Sequence, residues 1–156
     1  MSVKDDFTPA EWQTLLRLPM KIGITLIAMA PSGPIGLTKE SMALAKGPFE
    51  LAQGAGGLVS ALVPELQAQA KHIMKEEQSS LKHSQPYGYK EQTIAACKST
   101  AAALAKANAA DATNYQKWVL AVGQKVAEAA KEGKVHVSET EKTLLHEFSQ
   151  ALGNGA

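Results

Sequence analysis

The sequence predicts an all-α fold, and three observations predict it. Alanine supplies 26 of the 156 residues and leucine 16, whereas aromatic residues make up only 5% and β-branched residues rarely alternate, which is the vocabulary of helices. Apolar residues recur at three- and four-residue steps, most clearly at Tyr115, Trp118, Val119, Val122, Val126 and Ala129. Two capping boxes, Thr8-Pro9-Ala10-Glu11 and Ser138-Glu139-Thr140-Glu141, each place a hydroxyl and a carboxylate where they satisfy the first free N–H groups of a helix. The expectation is a single-domain bundle of about six or seven helices over residues 1–156.

The elements follow in order. A helix opens at Thr8, runs through Trp12, Leu15, Leu16 and Leu18 to a break or kink at Pro19, and continues from Met20 to Met29. The apolar run Ile22 to Ala30 is too short to span a bilayer and suits the centre of a bundle. Pro31-Ser32-Gly33-Pro34 stops it, Thr38 caps the next helix, and Gly47-Pro48 interrupts that one. Gly54-Ala55-Gly56-Gly57 is a turn. Leu58, Leu62, Leu66, Ala70, Ile73 and Met74 then form an amphipathic helix, and His83 to Gly88 form a loop. Ile94, Cys97, Ala101 and Leu104 mark another helix, Asn108 and Asp111 the turn after it, and Gly133 and Gly153 the ends of the last two.

The chain also echoes itself at an offset of one hundred. Gly23 aligns with Gly123, Gly33 with Gly133, Leu44 with Leu144, Ile35 with Val135, Leu37 with Val137 and Thr38 with Ser138, without a gap. Each half then holds a helix, a linker of the form Gly-x-(Ile/Val)-x-(Leu/Val)-(Thr/Ser), and a second helix. The halves would be 8–82 and 90–153, related by a pseudo-twofold axis.

Ser32 to Thr38 and Glu132 to Glu141 resemble the linkers of the tellurite-resistance TerB-like domain, which read Asp-Gly-x-(Ile/Val)-(Ser/Thr)-x-x-Glu. Here two extra residues precede the hydroxyl. The resemblance implies an all-helical fold of two related halves, a stress-related setting, and divalent-cation binding by the linker acids. Ser32 stands where the family has aspartate in the first linker, and Glu132 occupies that place in the second.

Several chemistries lack their signatures. With one cysteine and a formal net charge of +1, the chain has neither an internal disulfide nor a global excess of charge for nucleic acid or anionic membranes. Met1 to Phe7 lacks the order of a secretory signal, which places the chain in the cytoplasm. No His-Glu-x-x-His, Glu-x-x-His, Gly-x-Ser-x-Gly or phosphate-loop motif is present. Cys97 falls on an apolar stripe and reads as a small hydrophobe. His72 and Glu76 have a chelating spacing, and Lys71, Lys75, Lys82 and Lys90 gather near His83, Tyr87 and Tyr89, but Glu76, Glu77 and Glu91 interrupt them.

The expected function is therefore non-catalytic and needs no cofactor: a helical domain acting through a protein partner or by self-association. Ile35 and Leu37 are the candidate contact residues. The alternative is a metal or small-molecule site between the halves, with His136, Glu132 and Glu139 as candidate ligands.

Overall fold

In a computed structural model that describes residues 3–30, 33–129 and 138–153, a 3-10 turn (Val3–Asp6) is followed by five α-helices, and no strand is present among the described residues. The helices are α1 (Pro9–Met29), α2 (Gly33–Glu50), α3 (Gly56–Leu104), α4 (Ala109–Ala129) and α5 (Glu139–Ala151). Both capping boxes form. Glu11 N donates to Thr8 Oγ1 at 3.1 Å while Thr8 N donates to Glu11 Oε1 at 2.8 Å, and Ser138 and Glu141 exchange the same pair at 3.2 Å. Asn108 Oδ1 accepts from Asp111 N at 2.8 Å and so caps α4, and Gly153, at a φ of 82°, ends α5 in the left-handed conformation that favours glycine.

Helix α1 is the hub. It packs against all four other helices, and Leu15, Leu16, Leu18, Ile22 and Leu26 are buried among them. Leu58, Leu62, Leu66 and Ile73 of α3, Val119, Val122 and Val126 of α4, and Leu144 and Phe148 of α5 complete the core. Two glycines allow close approach. A methyl group added at Gly23 would collide with the Leu44 side chain of α2, and one at Gly123 would lie 2.9 Å from both Ile22 Cγ2 and Leu145 Cδ2.

Five expectations are corrected. The helix does not break at Pro19: α1 is continuous, because Tyr115 Oη donates at 2.6 Å to the Leu15 carbonyl, the acceptor that Pro19 leaves without its in-helix donor. Helix α2 begins at Gly33 rather than at Thr38, with Pro34 in the first turn where a missing N–H costs nothing. Residues 33–37 are thus helical and not an extended linker. Nor does Gly47-Pro48 interrupt α2, which runs on to Glu50: both residues are buried, the Lys125 stem stands 3.5 Å from the place of a Gly47 side chain, and Trp118 Nε1 donates at 2.8 Å to the Pro48 carbonyl, which the nearby helix end leaves free.

The loop from His83 to Gly88 contracts to one residue. Gln85, with φ 64° and ψ 165°, is the single non-helical position inside α3. Pro86 accounts for the departure from the helix and for the extended ψ, since the residue before a proline is pushed out of the α region, while the positive φ is a further strain at Gln85. The break folds α3 back on itself. Tyr89 Oη reaches Glu77 Oε1 at 2.8 Å and Ser80 Oγ reaches Gln92 Oε1 at 2.9 Å, although residues twelve apart on a straight helix are separated by about 18 Å. Among the described residues the helices number five, and the segment expected to be separate from Ile94 onward is the second arm of α3.

Candidate functional site

Helix α2 packs on α4 and α1, and the first arm of α3 packs on α1, but α2 and α3 make no extensive contact with each other. The space between them is a groove with α1 as its floor. Its larger part holds about 490 Å³ and is lined by Ile24, Ile27 and Ala28 of α1, Leu37, Ser41 and Leu44 of α2, and Met74, Gln78 and Leu81 of α3. A second part of about 450 Å³ shares Met74 and Gln78 and adds Met20, Ala45, Ala70, Lys71 and Lys75.

Helical spacing makes this lining. Leu37, Ser41, Leu44 and Ala45 lie on one stripe of α2, and Ala70, Met74, Gln78 and Leu81 on one stripe of α3. Ile27 and Ala28 are only half-buried because no helix covers this side of α1. Leu37 is 49% exposed at the groove wall, and Met42, 52% exposed, continues the apolar surface on the outer edge of α2. Met74 adds a flexible, polarisable thioether, which adapts to varied apolar surfaces.

The groove carries charge of one sign. Among the described residues, Lys71 and Lys75 are its only charged lining residues, both are exposed, and no carboxylate pairs with either. The neighbouring acids are engaged elsewhere. Glu77 accepts from Lys21 Nζ at 2.7 Å, from Tyr89 Oη at 2.8 Å and from Arg17 Nη1 at 3.0 Å, while Glu76 meets Arg17 Nη2 and lies 3.2 Å from His72 Nε2. Burial works against the charged form of Glu77, but Lys21, Tyr89 and Arg17 outweigh it and hold its carboxyl below the usual range. This network ties both arms of α3 to α1; it explains why Glu76 and Glu77 interrupt the lysine cluster.

Leu37 is thus at the groove, whereas the side chain of Ile35 lies outside the described residues. Of the candidate metal ligands, Glu132 and His136 also lie outside them, and Glu139 sits in the first turn of α5 with a side chain 91% exposed and 3.6 Å from Lys142 Nζ. Among the described residues no group of three His, Cys, Asp or Glu side chains could hold a metal ion. The His72–Glu76 pair is drawn into the Arg17 network, and Tyr89 is buried rather than available to a base. Cys97 is buried and its thiol is pushed up to about 12 by burial, which makes it a packing residue. Ile24, Ile27, Ala28, Met74 and Leu81 were not legible as site residues, since an apolar side chain facing a groove carries the same periodic signal as one facing a core.

The fold and groove together define a small all-α bundle with one open apolar face. Compared with known proteins, the chain matches no family model, no curated protein and no solved structure. No helix among the described residues is long and apolar enough to cross a membrane.

Proposed function

We propose that the protein is a non-catalytic binding domain that takes a protein partner into the groove between α1, α2 and α3. The observation that carries this reading is the apolar lining left open between two helices that do not close on each other, widened by the exposed Leu37 and Met42. Contact through Leu37 belongs to the reading. So does a two-half organisation of residues 8–82 and 90–153, in which Gly23 and Gly123 each admit a leucine from the helix that follows, Leu44 and Leu145, the second one residue beyond the position that the offset of one hundred pairs with Leu44. The linker resemblance to the TerB-like domain would add a stress-related role in the cytoplasm.

A photo-crosslinking amino acid placed at Ser41 or Gln78, both exposed at the groove, tests the reading in the native host. Both positions should trap the same protein, and the exposed Gln124 on α4 should not. Equal trapping at all three, or none at the groove, would sink it.

A further inference from the structure

We infer that the occupant of the groove is an acidic amphipathic helix of about three turns, an inference that rests on the partner-binding reading above. Dimensions set the length. From Leu37 to Ala45 the α2 wall rises about 12 Å, and from Ala70 to Leu81 the α3 wall rises about 16 Å, at 1.5 Å per residue. A helix of about eight to eleven residues fills that span and presents apolar side chains at i, i+3 or i+4 and i+7. An extended strand has nothing to pair with, because the walls are helices whose backbone bonds are internal.

Charge sets the flank. Lys71 and Lys75, one turn apart on α3, stand at the end of the groove near Met20 and Ala45, with no carboxylate among the described lining residues to answer them. Carboxylates along one edge of the incoming helix would meet both ammonium groups, while basic residues there would be repelled. The exposed Met42 and Leu37 extend the apolar surface beyond the groove itself, which suits a helix lying across the wall better than a small molecule sunk between the helices.

The test is a displayed library of helix-forming peptides of about twelve residues, sorted against the full chain alone, with the survivors then measured on Ser41→Trp, which fills the groove from an exposed position. Circular dichroism and melting establish that the variant folds, and Gln78→Trp serves as the second blocking variant. Expected survivors carry apolar residues at the stated spacing and Asp or Glu on one flank, fail on Ser41→Trp, and bind Lys71→Glu/Lys75→Glu at least about fivefold more weakly. Survivors with neutral or basic flanks, or indifferent to the charge reversal, overturn the acidic helix while leaving the groove reading intact. Survivors that bind Ser41→Trp equally, or no survivors, overturn both. A wild-type dimer in light scattering that Ser41→Trp abolishes assigns the groove to a second copy instead. Saturable binding of dodecanoate, lost in the same variant and competing with the peptides, assigns it to an amphiphile and likewise overturns the proposal.

Discussion

Pro19 has no N–H to give, and within α1 the carbonyl deprived by that loss belongs to Leu15. Leu15 is fully buried, so no water replaces the donor, and an unsatisfied carbonyl there would cost on the order of 1–3 kcal/mol. The Tyr115 hydroxyl supplies the bond from α4 at 2.6 Å. Tyr115→Phe should therefore destabilise the protein by about 1–3 kcal/mol in urea unfolding. Pro19→Ala restores a donor inside the helix, so in that background the same Tyr115→Phe should cost distinctly less. An equal cost in both backgrounds would mean that the hydroxyl does not replace the proline's missing bond. Gln85 is the opposite case, a residue whose backbone is placed where glycine is favoured. Gln85→Gly should be neutral or stabilising by about 1 kcal/mol, whereas a glycine at the exposed Ala68 inside the first arm should cost about that much. Paired thermal melts compare the two.

At the scale of elements, α3 depends on what closes it. Glu77 stands on the first arm, Tyr89 on the second, and Arg17 and Lys21 on α1, so one carboxylate fastens three segments. Because its folded pKa is held below the ordinary 4.5, the stabilisation is present above that value and is lost as the pH falls through the lower, folded one. Glu77→Gln should cost about 2–4 kcal/mol near neutral pH, less than a fully buried pair because Arg17 keeps part of its surface in water. The difference from wild type should narrow as the pH is taken toward about 3, even though Glu76, which Arg17 also holds low, contributes its own acid sensitivity to both proteins. A gap in melting temperature that stays constant across this range would count against the role of the charge. Much of the element plan was legible: both capping boxes, the buried stripe of α4 and the stop at Gly153 follow from local chemistry. Pro19 misled because its rescue comes from Tyr115, about a hundred residues away along the chain, and local rules carry no information at that distance; Pro48 misled because it falls in the last turn of α2, where Trp118, seventy residues away, takes up its free carbonyl. The break at Gln85-Pro86 was visible in the sequence, but not the hairpin that Glu77 and Tyr89 close across it. Leu37 was singled out as part of a loop and lies at the groove wall on a helix, while the rest of the groove depends on α2 and α3 failing to meet, which is a tertiary fact.

At the scale of the whole molecule, the segments 8–82 and 90–153 are fastened across their division at nearly every level of the bundle. Glu11 meets Lys106 at 2.7 Å, Leu15 meets Tyr115, Thr25 Oγ1 and Thr93 Oγ1 share a buried hydrogen bond of 2.8 Å, Pro48 meets Trp118, and Glu50 meets Lys125 at 2.6 Å. The apolar contacts follow the same plan, since α1 packs against helices from both segments and Gly123 admits Ile22. Neither segment alone encloses a core: without α4 and α5, the residues of α1 that face them would return to water at about 25 cal/mol for each Å² of apolar surface, against an unchanged entropy cost of ordering the chain. The protein should consequently unfold as one cooperative unit even if its two segments share a pattern. Trp12 and Trp118 report from opposite segments, so Trp12→Phe and Trp118→Phe variants each leave one tryptophan as a probe. Their fluorescence transitions in urea should each coincide with the far-ultraviolet circular dichroism of the same variant, and residues 1–84 expressed alone should show no cooperative transition. Separate fluorescence and dichroism midpoints within either variant, or a folded 1–84 fragment, would show that the segments are independent units and that the links between them are secondary.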